Sequence, residues 1–439
     1  MKLDRKMFFR IHSWIGIKLS ILFFIVCFSG TLATLSSEMD WLSIPESRAV
    51  PQETLASRNE TIKNLCSIYP EGKIEYWTSM EVPYLCDLIY MNEGGHRSYV
   101  FANQYTGEIQ GSAQITFRRF FRDIHYYLFI PLGFGHFTVL IFGFLLFFSL
   151  VTGLLVYKQW YKKLFELKRG KGKVVLYRSI HRLIGVWSVP FMILFSVTGI
   201  WYFLERTNTA DIATEANTKT PKLEVAMCDS ALLENITYNF DYDRAVAAAQ
   251  EQLPEIQIKT FSPPRKMDSP FYLTGLTEAP LVRFRANRVY VHPETYEVIS
   301  VQKAEEISNV TWLNDIADPL HFGYWGGLLT KVIWFFAGLG ISGLVLTGIW
   351  ISLKRKVKNK LKQKNQKLGK WKYVNWIIFG LFILAMYITL ILRYKASILT
   401  LSTVTIGWLL LGYATWYIFV YKMREVVNKE LKPRKVKTT

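Results

Sequence analysis

The chain has 439 residues, 51% of them apolar and 15% aromatic, with a formal net charge of +19. Basicity beside hydrophobicity on that scale points to nucleic acid or to membrane, and the distribution of the charge decides. Apolar residues fall in blocks of about 20, enough to cross ~30 Å of hydrocarbon, and lysines and arginines cluster between alternate blocks. This excludes a nucleic-acid face and predicts a polytopic α-helical protein in a lipid bilayer.

Residues 1–35 carry Lys2, Arg5, Lys6 and Arg10 ahead of an apolar run that begins at Trp14. The run is too long for a signal-peptide core and lacks a small-x-small cleavage site, so it reads as an uncleaved first span. Residues 36–120 are polar and mixed. Within them 59–68 has helical spacing, and 73–78, 84–90 and 98–102 alternate as strands. A second span lies in 121–160, then a basic loop in 161–180 and a third span in 181–204. Residues 205–320 form a larger polar segment, with a helix at 242–252 and strands at 256–261, 271–274 and 288–291. The fourth span falls in 321–355, a second basic loop in 356–372, a hairpin of two spans in 373–421 and a basic tail in 422–439. Six spans with both termini cytoplasmic put every long basic loop on one side and both polar segments on the other.

The two halves share a pattern. The run His12-Ser13-Trp14-Ile15-Gly16 returns as His181-Arg182-Leu183-Ile184-Gly185, each behind an arginine, Arg10 or Arg178. Gly30 and Gly199, each preceded by a small hydroxyl residue (Ser29, Thr198), stand 18 residues past their histidine. Each half then has a polar segment, a second histidine (His125 or His321) and a span ending in Thr152-Gly153 or Thr347-Gly348. The hairpin carries no histidine and has no counterpart. By topology His12 and His181 lie at the cytoplasmic edge, and His125 and His321 at the outer edge. Two histidines at each face, from different helices, are what two bis-imidazole b-type haems need. Filled axial positions favour electron transfer over oxygen chemistry. Gly16, Gly30, Gly185, Gly199, Gly338, Gly340 and Gly343 lack side chains where a flat macrocycle or a neighbouring helix approaches. Arg10, Arg178 and Arg182 inside, and Arg118, Arg119 and Arg122 outside, are candidate partners of haem propionates. Singly, such histidines and arginines are more often headgroup contacts; the duplicated frame lifts the four histidines above that reading.

His136 lies 11 residues past His125, and its counterpart in the second half is Lys331. An ionisable group at that depth is a functional candidate: a ligand in place of His125, or a proton or redox-tuning neighbour. His96 and His292 fall in turns and read as solvated. Asp123, Asp315 and Asp318 read either as a metal or substrate mouth or as helix caps, for Asp318 precedes Pro319. Cys27 lies within the first span, Cys66 and Cys86 are candidates for a disulfide, and Cys228 is left over. No HExxH, GxSxG, P-loop or GxGxxG occurs.

In their order and spacing these residues resemble the PepSY-associated transmembrane family, over about residues 5–355. The family includes iron-regulated inner-membrane proteins and the FoxB-type reductases, dihaem proteins that reduce siderophore-held iron on the periplasmic side. The resemblance implies a bacterial inner-membrane protein with two small α+β PepSY-like periplasmic modules, each a helix on a small antiparallel sheet. It implies haem ligation by His12, His181, His125 and His321. It also implies a ferric siderophore reductase fed by a cytoplasmic or quinone-pool donor, since no flavin reductase domain stands in this sequence. The ferric chelate is expected between the two modules, near Tyr126, Tyr127, Tyr324 and Trp325. PepSY modules are also associated with restraint of peptidases, so the alternative is a non-enzymatic sensor or binding protein whose histidines are structural.

Overall fold

The computed structural model describes residues 4–80, 82–130, 133–170, 172–223, 236–266, 268–362 and 371–422. Cys228, residues 363–370 of the second basic loop and the tail beyond Lys422 lie outside them.

The first half opens with α1 (Arg5–Lys18), whose N-cap Asp4 accepts from the Met7 N–H, and α2 (Ser20–Ala33). The two meet at Leu19 with a bend of 73°. Then come α3 (Ser36–Ser43), α4 (Arg58–Ile68) and four strands, β1 (Lys73–Thr78), β2 (Asp87–Glu93), β3 (His96–Ala102) and β4 (Ile109–Ala113). Helix α5 (Phe117–Tyr127), capped by Thr116, returns the chain to the long α6 (Phe134–Val156).

The second half repeats the order. Helices α7 (Lys173–Trp187) and α8 (Val189–Arg206) break at Ser188, seven residues past His181, as α1 and α2 break seven past His12. Pro190 accounts for the second break, since it removes an amide donor in the first turn of α8. No proline stands at the first break, where Asn375 Nδ2 of the hairpin donates to the Lys18 carbonyl at 3.0 Å. A short α9 (Ile212–Ala216) leads to α10 (Tyr242–Gln252), β5 (Gln257–Ser262), β6 (Phe271–Leu276), β7 (Asn287–Val291) and β8 (Val298–Gln302). Helix α11 (Asn309–Phe322) then precedes α12 (Gly327–Lys362). The hairpin is α13 (Trp371–Ile388) and α14 (Ile398–Trp416). Five described helices are long and apolar enough to cross a membrane, or up to six with the α1–α2 pair counted as one span.

The polar segments are not two separate small sheets. Their eight strands form one antiparallel sheet in the order β4-β3-β2-β1-β5-β6-β7-β8. The seam is β1 against β5, with Trp77 opposite Phe261 and Thr78 opposite Thr260. Both strands have the same alternation of buried and exposed positions, and both carry an irregularity at the same place, Ile74/Tyr76 and Ile258/Thr260. Helices α4 and α10 cover one face over a shared core that includes Leu65, Ile89, Tyr242, Phe261 and Phe271. They also cap one another: Ser57 Oγ donates to Asp243, and Asn59 Nδ2 donates to Asp241 at 2.8 Å. This joining removes the cleft expected between the modules at the seam. The three described cysteines, Cys27, Cys66 and Cys86, are free: Cys86 Sγ lies 3.4 Å from the Arg48 carbonyl, and no Cys66–Cys86 disulfide forms.

The hairpin docks on the first half. Phe382, Met386 and Leu390 pack into one core with Phe23, Val26 and Ile124. At its tip Tyr394 O–H donates to Asp123, Arg119 Nε donates to Tyr394 at 2.7 Å, and Arg119 pairs with Asp123 at 2.9 Å. Lys395 Nζ donates to His96 Nε2 at 2.5 Å, so His96, exposed as expected, also ties the sheet to the hairpin. His292 Nδ1 accepts from the Glu294 and Thr295 amides and caps its turn.

Within the sheet, Trp77 Nε1 donates to Asp87 at 2.7 Å, and burial lifts the Asp87 carboxyl from 3.8 to about 6. The folded-state value lies above the unfolded one, so stability falls as pH rises across that window and stays lost above it. Asp87→Asn keeps an acceptor without the charge. Its apparent Tm in detergent should equal or exceed that of the wild type at neutral pH, with the gap closing as pH falls toward 3.8. Asp87→Ala strands the indole N–H and should cost about 1–3 kcal/mol.

Candidate functional site

The four repeated histidines come together in two pairs. The ring centroids of His12 and His181 are 6.3 Å apart, and those of His125 and His321 are 6.1 Å apart. Both sheet segments attach to the ends of α2, α6, α8 and α12 nearest His125 and His321, so that pair lies on the sheet side and His12–His181 on the opposite side.

Each ring is held through Nδ1. His12 Nδ1–H donates to the Ser149 carbonyl at 3.0 Å, and His125 Nδ1–H to the Val26 carbonyl at 2.8 Å. His181 meets Thr347 Oγ1 at 2.8 Å, and His321 meets Thr198 Oγ1 at 2.7 Å. Those hydroxyls donate their own protons to the carbonyls of Gly343 and Leu194, so toward histidine they accept. Four acceptors therefore fix one tautomer: the proton is on Nδ1 and the lone pair on Nε2. Among the described residues Nε2 takes no hydrogen bond in any of the four.

The small-residue positions read from the repeat are the other half of this anchoring. A Cβ on Gly30 would stand 2.6 Å from Cε1 of His125. Cβ atoms on Gly153 and Gly348 would lie 3.4 Å and 3.6 Å from the rings of His12 and His181. Gly199 instead packs against the Gly143 backbone, while its neighbour Thr198 holds His321. The sequence pattern thus marked the anchors without showing which histidine each one serves. Those pairings span from 95 residues for Gly30 and His125 to 167 for Gly348 and His181.

On the side away from the sheet a cavity of about 460 Å³ is lined by His12 and His181, with Gly16 and Gly185 leaving its walls open. That volume suits a small-molecule or cofactor site. Arg178 and Arg182 line it as expected, and Arg5 and Arg355 join them; Arg10 is exposed and does not. Arg5 Nε donates to the Val156 carbonyl at 2.9 Å, and Arg182 lies over the Tyr157 ring at 5.2 Å. Around the other pair, Phe195 and Tyr202 pack against His321 at 5.6 Å and 5.4 Å.

The outer arginines divide. Arg119 is consumed by Asp123 and Tyr394, and Arg122 lies over the Tyr126 ring at 5.9 Å. Arg118 donates from its side chain to Met80 Sδ. The three aspartates are neither caps nor a mouth. Helix α11 runs through Pro319, so Asp318 lies inside it and pairs with Arg283 at 2.9 Å. Asp315 pairs with Arg285 at 2.9 Å; burial raises its carboxyl, against the pull of those arginines. His136 stacks on Tyr126 with ring centroids 3.9 Å apart and is paired with neither His125 nor His321.

The geometry fits haem on its chemistry. A metal–imidazole bond of about 2 Å and a nitrogen roughly 1 Å from its ring centre put two axial rings about 6 Å apart. No group of three or more His, Cys, Asp or Glu able to hold an ion occurs among the described residues. Two imidazoles alone suit a metal that brings its other donors with it, as a macrocycle does. A family model described as "PepSY-associated TM region" matches residues 9–355, and no curated protein matches the chain.

Gly30 tests the anchoring directly. Gly30→Ala should cost about 1–3 kcal/mol by crowding His125. Gly343→Ala, where nothing lies within 4 Å, should be neutral or slightly stabilising. Thermal unfolding of the two variants in detergent reads the difference.

Proposed function

The chain belongs to the PepSY-associated transmembrane family, and we propose that within it the protein is a two-haem electron conduit. It takes electrons from a cytoplasmic or quinone-pool donor at the His12–His181 end. On the sheet side it reduces ferric iron held in a siderophore or other chelate. The observation that carries this reading is the set of four histidines, each locked in the Nε2 lone-pair tautomer and paired at the spacing two axial ligands need. His12 and His181 would hold one haem b, and His125 and His321 the other. Haem held by these imidazoles would supply a one-electron couple.

The chain's own residues do the rest. An Nδ1–H···O bond fixes the ring's orientation and raises its basicity as a ligand. Four arginines at the inner cavity offer charge-assisted hydrogen bonds to carboxylates there. Phe195 and Tyr202 keep water off His321. On the sheet side Tyr126 and Tyr127 follow His125 in α5 and pack against His136. The chelate's hard oxygen donors hold iron(II) far less tightly than iron(III), so one electron is enough to release the metal.

Protein purified from haem-replete cells should be red, with a split b-type band in the reduced-minus-oxidised spectrum. His12→Ala or His321→Ala should each remove about half the haem, since each disables one of two sites. A colourless, haem-free preparation overturns the reading. Thr198→Val, which removes the acceptor for His321, should weaken haem retention about 10- to 100-fold, and Thr198→Ser should restore it.

A further inference from the structure

His136 has the surroundings of a site whose partner is missing. It stands in the first turn of α6 and is 5% exposed. Its ring stacks on Tyr126, with Tyr127 edge-on at 5.9 Å. Its Nε2 is buried and has no hydrogen-bond partner among the described residues. A buried ring nitrogen left unmatched costs about 1–3 kcal/mol, which a ligand atom would recover.

Two cations lie near it, and the nearby carboxylate of Glu205 is engaged by Asn314 Nδ2 at 3.0 Å and by Arg285 at 3.9 Å. Arg206, at the end of α8, places Nη2 3.6 Å from where a Cβ on Gly133 would stand. Gly133 is the N-cap of α6 and offers no side chain to its first amides, which carry the positive end of the helix dipole. Arg122, over Tyr126, adds a second cation.

The duplication supplies the comparison. His136 stands 16 residues before Thr152, and Lys331 stands 16 before Thr347. Lys331 is buried and donates to Glu38 Oε1 at 2.5 Å. Glu38 follows Ser29 by nine residues, and Arg206 follows Thr198 by eight. The buried nitrogen of the second half therefore meets a carboxylate from the first half, whereas Arg206, one residue before the position equivalent to Glu38, brings a guanidinium to the neighbourhood of His136. Among the described residues no acceptor stands against His136 Nε2.

We propose that His136, Arg206 and Arg122 form a binding site for a carboxylate or comparable anionic oxygen group, beside the His125–His321 pair. The site stands on this geometry without haem. If the occupant is the carboxylate of a ferric chelate, the site deepens the function proposed above by naming the acceptor's class. The second source of the same chemistry is a propionate of a haem held at His125 and His321.

Full-length protein in lipid nanodiscs, prepared haem-loaded and haem-free, is titrated with radiolabelled citrate and ferric citrate by equilibrium dialysis. A chelate site gives saturable binding to both preparations. His136→Phe and Arg206→Gln should each weaken it roughly tenfold, the worth of one charge-assisted hydrogen bond, with haem content unchanged. A propionate site gives citrate binding to the haem-free protein alone, weakened by the same variants, and Arg206→Gln then shifts the midpoint potential of one haem. Absence of citrate binding from both preparations, or binding unchanged in both variants, overturns the proposal. Thermal melts confirm that the variants fold; Arg206 is exposed and its loss leaves no cavity. A colourless protein that still binds citrate through Arg206 would overturn the electron-transfer reading and leave this site standing.

Discussion

An imidazole in an apolar interior cannot leave its N–H unmatched without a cost comparable to a lost hydrogen bond. The membrane half of this protein is arranged around that constraint. Each of four rings gives its Nδ1–H to an oxygen on a span of its own half, yet faces a ring from the other half. Anchoring is therefore decided inside each half and pairing between halves. A half folded by itself would present two correctly protonated rings and complete no site. The breaks at Leu19 and Ser188 belong to the same arrangement. The break at Leu19 sets the segment carrying His12 on a helix bent by 73° from α2.

Charge is handled differently on the two sides of the molecule. Away from the sheet, four arginines border the cavity. Toward the sheet, Arg119, Arg283 and Arg285 are spent on buried aspartates that fasten α5 to the hairpin and α11 to its module. Helix α5, the carrier of His125, is thus held at three points: by Asp40, which accepts from its first amides, by α2 through Val26, and by Tyr394. The hairpin outside the family region is a brace for that helix on one side. Its α14 span keeps no buried residue on the other.

Much of this was legible in the sequence because it is written in short-range periodicity. The helix over 242–252, the strand over 73–78 and the equivalence of the two halves follow from local pattern, and the structure has them. The histidine pairing followed from topology alone. What escaped reading depends on contacts far apart in the chain. Strands β4 and β8 are short and weakly apolar, and their place is set by the strands they join. Nothing local in Trp77 or Phe261 announces that they face each other across 184 residues. The cap reading of Asp318 failed because its helix continues through proline, and the candidate Cys66–Cys86 disulfide does not form, both thiols being free. Arg10 was placed on the cavity by proximity to His12, but the helix turns it outward.

The β1–β5 seam carries a further consequence. Position 77 of one strand meets position 261 of the other, the same place in each repeat, and the capping contacts obey the same exchange: Ser57 with Asp243, Asn59 with Asp241. A contact in which residue i touches j while the equivalent of i touches the equivalent of j is isologous, the signature of a two-fold dimer. Here the two subunits are joined in one polypeptide. Joining frees each copy to diverge, and His136 beside Lys331 is where it has done so: a symmetric pair of chains would have to carry the same residue at both places.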